Sequence, residues 1–207
     1  MPEPPRIGIT ASVVLVVEGR DEELFFSAFA KRLGLTTLQV MGIGGKTKLR
    51  ANLKALRDAP GFSSVVSLGI VRDANNDPRA AFLSVSDALR DCGLSVPREV
   101  GQPAGREPRV MAFIVPDAQR SGMLEDLCLA AVRDDPAMPC LDPFFDCVEE
   151  RTQLPAELSK AKVHAFLSSR PTPDLRLGEA AQKGYWPFEN AAFETIKGFL
   201  RELCAPD

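Results

Sequence analysis

Histidine is nearly absent from this sequence, because His164 is the only one among 207 residues. Mechanisms that need several histidines are therefore excluded, and a Ser-His-Asp triad would depend on one residue in a lysine-rich helical stretch. The cysteines are few and widely spaced, at positions 92, 128, 140, 147 and 204. They include no Cys-x-x-Cys pair, which argues against a disulfide framework and against a zinc site.

Long hydrophobic runs are also missing. The longest early run, residues 13–17, is far shorter than the ~20 residues that a membrane helix needs. No small-residue cleavage site follows a basic segment near the start of the chain. We therefore expect a cytoplasmic protein that makes no contact with a membrane.

Neither sign of charge predominates. The chain has 25 Lys and Arg against 28 Asp and Glu, a net charge of -3 and a pI of about 5.4. No global positive field therefore attracts nucleic acid or an anionic membrane. A contact with DNA or RNA must use a local basic patch or a metal ion.

Apolar runs alternate with helical periodicity from residue 12 onward. Strand-like runs occur at residues 13–17, 37–43, 65–71 and 110–115, and helical patterns follow them at residues 22–33, 48–56, 79–89 and 124–132. Continuous Val, Leu and Ile runs indicate strands that are buried on both faces. Four such units predict an α/β fold with a parallel sheet and flanking helices.

The chain changes character beyond Pro139. No comparable strand-like run follows, and helical patterns occur at residues 157–167 and 191–203. The second pattern has an apolar face suited to docking on the sheet. Between them, residues 178–188 hold the only Tyr and the only Trp, which we expect to anchor a loop. We predict an α/β domain at residues 12–135 and a C-terminal helical extension at residues 136–207, packed on the same domain.

Acidic residues stand where the first and third predicted strands end, which is where open α/β sheets bind ligands. Glu18 follows an apolar strand directly, and a carboxylate there is costly to desolvate without a cation or a proton-transfer role. Asp73, Asn75 and Asp77 offer oxygen atoms at alternate positions, which suits Mg²⁺. Asn and Asp also form turns, so these residues are open to the alternative that they only close a loop.

Two more acids, Glu125 and Asp126, open the helix after the fourth predicted strand. The helix dipole alone favours acids at this position. Because this helix starts at the same edge of the sheet as Glu18 and Asp73, either acid is also a candidate for a second metal position.

A glycine turn with basic residues follows the second predicted strand. Glycines that lead into a helix expose backbone N–H groups to phosphate, and nearby basic side chains add charge. The candidate phosphate-binding residues are Gly44, Gly45, Lys46, Lys48 and Arg50. The turn does not complete a P-loop, because the motif needs Gly where Val40 stands, and it does not complete the dinucleotide fingerprint.

These elements together resemble the Toprim domain shared by type IA and type II topoisomerases, bacterial primases, small ribosomal-RNA maturation nucleases and OLD (overcoming lysogenization defect) nucleases. Residues 16–22, Val-Val-Glu-Gly-Arg-Asp-Glu, match its first element, and residues 43–46, Ile-Gly-Gly-Lys, match its glycine turn. The likeness covers about residues 12–133. The whole chain is similar to a stand-alone Toprim-like protein of the OLD-related type, with further likenesses at residues 122–127 and 177–181.

The resemblance implies a compact Toprim-like, Rossmann-like fold, Mg²⁺ or Mn²⁺ as the cofactor, and nucleic acid as the partner. Glu18 would act as general acid/base or metal ligand, and Asp73 with Asn75 and Asp77 would hold the ion. The rest of the first element would support the site through Gly19, Arg20 and Glu22. The sequence departs from the family at Asn75, which stands where the family has a second Asp and which lacks the charge.

Three functions remain open from the sequence. The first is a Mg²⁺-dependent nuclease, with Lys46, Lys48 and Arg50 on the phosphate backbone of DNA or RNA. The second is a catalytically weak or inactive Toprim-like module that binds nucleic acid or a nucleotide. The third is a phospho-acceptor domain, which needs a Ser or Thr after the fourth strand, where Pro116 and Asp117 stand. For a nuclease, we expect specificity to come from a protein partner or from self-association.

Overall fold

The computed structural model describes residues 8–45 and 48–205, which form four β-strands and eight α-helices. The strands are β1 (Val13–Val17), β2 (Leu38–Gly42), β3 (Ser67–Asp73) and β4 (Arg109–Val115). Each is followed by the helix of the same number, namely α1 (Arg20–Arg32), α2 (Leu49–Arg57), α3 (Pro78–Asp91) and α4 (Leu124–Ala131). The predicted α/β alternation is confirmed.

The four strands form one parallel sheet in the order β2-β1-β3-β4. β1 lies in the interior, where Val16 pairs with Met41 of β2 and with Ile70 of β3. Because the strands run in the same direction, β1 and β3 end side by side at one edge of the sheet. Glu18 and Asp73 therefore reach the same edge.

Helices cover both faces of the sheet, and alternate strand residues point to opposite faces. Val14 and Val16 belong to the core that α2 and α3 cover. Leu15 and Val17 belong to the larger core on the other face, which α1, α4 and the C-terminal helices cover. Every residue of β1 is buried, which explains its continuous apolar sequence.

The C-terminal region contains four α-helices among the described residues, namely α5 (Met138–Arg151), α6 (Leu158–Ser168), α7 (Leu177–Gln182) and α8 (Glu194–Leu203). The sequence predicts only α6 and α8. α5 has Pro143 in its interior and buries only Leu141 and Phe145, so it lacks a periodic apolar stripe. α7 has six residues, which is too short for a periodic pattern.

The C-terminal helices pack on the same core as α1 and α4. Leu203 of α8 is fully buried against β3, where a Cβ on Gly69 would lie 2.5 Å from Leu203 Cδ2. Trp186, between α7 and α8, stacks on Phe166 and donates its Nε1–H to the carbonyl oxygen of Leu177 at 2.9 Å. Trp186 is the predicted aromatic anchor.

In the part of the chain that the structure describes, no helix combines the length and apolar character that crossing a membrane requires. The five cysteines are free, with Cys92 and Cys128 buried. His164 lies exposed on α6, the surface helix position expected from the sequence.

Candidate acidic site

Glu18 follows β1 directly and lies beside Arg72 of β3. Counting on from the pair Val16 and Ile70, the strand register places the two residues next to each other. Arg72 Nε lies 3.5 Å from Glu18 Oε1, and the side chains are only 14% and 18% exposed. Arg72 Nη1 also donates a hydrogen bond to Ser84 Oγ at 2.7 Å. The arginine cation offsets part of the cost of placing Glu18 at the end of an apolar strand.

Asp73 is the last residue of β3 and is held against the start of α4. The backbone N–H of Leu124 donates to Asp73 Oδ1 at 3.1 Å. One residue past Ala74, Asn75 exchanges two backbone hydrogen bonds with Gly122, each 2.7 Å long. These bonds hold the loop after β3 against the segment that precedes α4, and they bring Glu125 towards Asp73.

Several carboxylates act on Asp73. Burial raises the pKa of Asp73 well above its ordinary value, and the charges of Glu18, Glu125 and Glu22 raise this pKa further, whereas the hydrogen bond from Leu124 lowers it. We call Glu18, Glu22, Asp73 and Glu125 the acidic cluster. Such a concentration of negative charge is unfavourable unless a proton or a cation neutralises it.

Glu125 is the member of the acidic cluster that interacts with Lys160 of α6. Burial raises its pKa, and the charge of Lys160 on α6 acts in the opposite direction. Lys160 Nζ pairs with Glu157 Oε2 at 2.8 Å. This hydrogen bond raises the pKa of Lys160, and the charges of Glu125 and Asp73 add to the effect. A cavity of about 300 Å³ opens beside Glu125 and Lys160, between α1, α6 and α7.

Two of the predicted metal ligands, Asn75 and Asp77, have structural roles after β3. Asp77 Oδ1 accepts a hydrogen bond from the backbone N–H of Ala80 at 2.9 Å and so caps α3. Asn75 adopts a left-handed backbone conformation with φ +49°. Its Nδ2 donates to the backbone carbonyl oxygen of Asp73 at 3.3 Å. Asn tolerates this conformation better than most residues, so the residue suits the turn.

Asp126 also has local partners. Its Oδ2 accepts from the backbone N–H of Met123 at 2.7 Å, and its Oδ1 accepts from Ser159 Oγ of α6 at 2.5 Å. The carboxylate therefore caps α4 and ties this helix to α6. Glu125, its neighbour, belongs to the acidic cluster instead.

The glycine turn after β2 lies against the end of β1. Gly44 and Gly45 adopt φ values of 73° and 106°, a conformation that favours glycine. The backbone N–H of Gly45 donates to the carbonyl oxygen of Glu18 at 2.6 Å. The turn is thus adjacent to the acidic cluster.

The basic residues of this segment are placed differently from one another. Lys48 is exposed at the start of α2, next to the glycine turn. Arg50 Nη2 pairs with Asp91 Oδ2, at the end of α3, at 2.6 Å. Lys46 lies outside the described residues. Among residues 8–45 and 48–205, Arg50 therefore has an acidic partner and Lys48 has none.

The remaining residues of the first motif lie at the start of α1. Gly19 is the N-cap residue of α1, in an extended conformation. Arg20 Nη1 pairs with Glu23 Oε1 at 2.8 Å on the surface. Glu22 is a member of the acidic cluster. The motif thus contributes two carboxylates to this edge, one from β1 and one from α1.

The acidic cluster fits a hard divalent cation by donor type and by charge, because Mg²⁺ and Mn²⁺ prefer carboxylate oxygen. A cation near Asp73 would offset the repulsion among these carboxylates. In residues 8–45 and 48–205, no three or more Asp, Glu, His or Cys side chains converge in an arrangement that could hold one ion. A bound ion would therefore require side-chain rotations within the cluster.

Arg72 and Lys160 are the functional candidates that the sequence does not single out. Arg72, like Glu18, is a charged residue at the end of an apolar strand. A charge in such a position is costly to bury unless it is paired. Lys160 lies on α6, far from Glu125 in sequence, and an exposed lysine on a helix is ordinarily just solvated. Only the packing of α6 beside α4 identifies Lys160.

The fold and this edge define an α/β protein of the Toprim-like type, with a parallel sheet, flanking helices and acidic side chains where β1 and β3 end. The chain belongs to the family described as "Protein of unknown function (DUF3226)", whose model matches residues 12–205. No curated protein matches the sequence.

Among the solved structures that are similar to this chain are those of two OLD proteins. One is the C-terminal region of the Xanthomonas campestris pv. campestris OLD protein, with a TM-score of 0.52, 15% identity, and coverage of 94% of this chain and 92% of that chain. The other is the C-terminal region of the Burkholderia pseudomallei OLD protein, with a TM-score of 0.49, 16% identity, and coverage of 95% and 100%. At 15% identity, the likeness to the Xanthomonas campestris pv. campestris structure indicates a shared fold.

Proposed function

We propose that the protein is a divalent-metal-dependent enzyme that cleaves phosphodiester bonds in nucleic acid. The observation that carries this proposal is the acidic cluster, in which burial and the charges of Glu18, Glu125 and Glu22 raise the pKa of Asp73. A divalent cation would offset the repulsion among these carboxylates. The Toprim resemblance and the OLD-like fold support the same chemistry.

In this proposal the residues of the cluster have separate roles. Asp73 and Glu125 hold the ion, with Glu22 adding negative charge, and the N–H of Leu124 fixes Oδ1 of Asp73. Glu18 acts as the general acid/base during cleavage of the phosphodiester. The bound cation would activate water and neutralise charge on the phosphodiester.

The nucleic-acid contact must be local, because the net charge is -3. Lys48, exposed at the start of α2 beside the glycine turn, offers a positive charge next to the cluster, and Lys46 belongs to the same segment. Phosphate contacts of this kind release counterions, so we expect binding to weaken as the salt concentration rises.

Cleavage assays with DNA and RNA, single-stranded and duplex, in Mn²⁺ and Mg²⁺, test the proposal. We expect metal-dependent cleavage that falls by about 100-fold or more in Glu18→Gln and in Asp73→Asn, the scale of losing an acid-base or ligand group. Asp87→Asn is the matched control, because Asp87 is exposed and pairs with Arg90 on α3. Equal activity in all four proteins would contradict the proposal.

A second candidate is a module that binds nucleic acid or a nucleotide without cleaving it. Two observations favour it, namely that Asn75 serves the turn and that Glu18 is paired with Arg72. Salt-sensitive binding that leaves every substrate intact in Mn²⁺ and in Mg²⁺ would support this function over the nuclease.

A further inference from the structure

We propose that Arg72 is a built-in counter-cation for Glu18, so that the acidic cluster takes one divalent ion, on the Asp73 side. This inference rests on the metal site of the proposed function. It assigns Arg72 the role of a positioning residue, which acts through Glu18 and keeps that carboxylate from serving as a ligand of a second ion.

The strand geometry separates Glu18 from Asp73. Val16 and Ile70, which precede Glu18 and Arg72 by two residues, belong to the core under α2 and α3. Val71, which precedes Asp73 by two residues, belongs to the core on the other face. Because strand side chains alternate, Glu18 and Arg72 share one face of the sheet edge, and Asp73 lies on the other.

The Arg72 guanidinium is fixed from two sides. Its Nε lies 3.5 Å from Glu18 Oε1, with both atoms buried from solvent, and its Nη1 donates to Ser84 Oγ of α3 at 2.7 Å. A guanidinium is in practice always charged in a protein. Glu18 therefore has a permanent cation on its own side of the sheet edge.

The Asp73 side has more negative than positive charge. The charges of Glu125 and Glu22 act on Asp73 together with that of Glu18. One cation on this side is Lys160, which pairs with Glu157 and whose side chain is 44% exposed, so its charge is shared and hydrated. Arg176, which lines the same cavity as Glu125, is exposed to solvent. One divalent ion is therefore best accommodated here.

Titration calorimetry with Mn²⁺ alone tests the inference. The proteins are the wild type, Arg72→Gln, the double variant Glu18→Gln with Arg72→Gln, and Arg120→Gln. Arg120 is the matched control, because it pairs with Asp117 at 2.6 Å, just beyond β4, and does not contact Glu18. Circular dichroism checks that each variant is folded.

We expect one Mn²⁺ per wild-type chain, and a second ion or at least tenfold tighter binding in Arg72→Gln. The double variant and Arg120→Gln should both bind one ion within threefold of the wild-type affinity. If Arg72→Gln does not fold, the double variant decides, because it removes both charges of the pair together.

Wild-type affinity and stoichiometry in Arg72→Gln, or a tenfold loss in the double variant, would overturn the inference and leave the proposed metal site intact. Absence of binding in every protein at millimolar Mn²⁺ would overturn both the inference and the proposed function. Binding that appears only in Arg72→Gln would also overturn the inference, because the wild type would then hold no ion on the Asp73 side.

Discussion

Asp73 is the residue at which the charges of the acidic cluster meet. The backbone N–H of Leu124 donates a hydrogen bond to Asp73, which lowers the pKa of this carboxyl. Burial and the charges of Glu18, Glu125 and Glu22 act in the opposite direction and raise it. Without a cation the ionised form is destabilised in the folded protein, because the unfolded chain would hydrate this carboxylate fully.

The sign of the resulting pH dependence follows from linkage. The folded protein binds a proton at Asp73 at a pH at which the unfolded chain has lost it, so stability falls as the pH rises from the ordinary pKa of 3.8 to the raised pKa. Asp73→Asn removes this penalty and keeps an oxygen for the N–H of Leu124. In EDTA at neutral pH we expect a higher unfolding midpoint than in the wild type, and a difference that shrinks as the pH falls towards 3.8.

Differential scanning calorimetry at several pH values measures this effect. The charges of Glu18, Glu125 and Glu22 act on Asp73, and Lys160 is a cation close to it. Asp87→Asn on the surface of α3 should leave the midpoint almost unchanged at every pH. A lower midpoint for Asp73→Asn in EDTA at neutral pH would show that the charge of Asp73 is not a penalty.

Single residues were predictable where a charge breaks an apolar pattern. Glu18 and Asp73 stand out because each ends a run of buried strand residues, and the structure places both at one edge. Arg72 breaks the same pattern, but its partner depends on which strands are neighbours, and sequence periodicity carries no information on strand order. The sequence alone does not decide whether Asn75 and Asp77 close a turn or bind a metal ion, because Asn and Asp are common in both roles.

At the scale of helices, the contact between α1 and α7 requires Gly178. A Cβ at this position would lie 2.3 Å from the carbonyl oxygen of Asp21 and 2.8 Å from Leu24 Cβ. Neither atom can move without shifting α1, which carries Glu22. We expect Gly178→Ala to lower the free energy of unfolding by about 1–3 kcal/mol, the range for overpacking.

Gly198→Ala is the control for this substitution, measured by urea denaturation. Gly198 lies inside α8, and a Cβ there would have no neighbour within 4 Å. Because Ala is the better helix former, we expect this variant to be more stable by up to about 1 kcal/mol. Equal effects of the two substitutions would indicate that α7 does not pack closely on α1.

The docking of α8 on the sheet depends on Leu203, which is fully buried next to Gly69. We expect Leu203→Ala to cost about 2–5 kcal/mol, because it leaves a cavity in the core. Leu83→Ala on α3 is the matched control, since Leu83 is 51% exposed, and its effect should stay within about 0.5 kcal/mol. A loss below about 1 kcal/mol for Leu203→Ala would contradict α8 as part of the core.

Elements with a clear period were predictable, and those without one were not. β1, β3 and β4 follow buried runs, α1 to α4 follow apolar stripes, and α8 has an apolar face that meets the sheet. β2 is an edge strand whose residues are half-buried or exposed, so the predicted burial on both faces is wrong for this strand. α5 is interrupted by Pro143 and buries two residues, so tertiary packing rather than a periodic pattern determines it. α7 is a single short turn of helix whose position depends on the close approach at Gly178.

At the scale of the whole molecule, the fold brings strand ends, a glycine turn and the start of α4 to one edge, while the C-terminal helices complete the core on one face. The parallel sheet could be predicted because every strand run is followed by a helical one. The position of α6 beside the acidic cluster could not, since no periodicity reports which helix meets which edge.

The most direct measurement for the proposed metal site is a calorimetric titration of Mn²⁺ into the wild type, Asp73→Ala and the surface control Asp87→Ala. At 100 times the dissociation constant, a ligand that binds only the folded state adds about 2.7 kcal/mol of stability, so a parallel melting experiment provides a second readout. We expect binding in the wild type and in Asp87→Ala, and at least a tenfold loss in Asp73→Ala. No binding at millimolar Mn²⁺, or equal binding in all three proteins, would contradict a metal site at the carboxyl edge of the sheet.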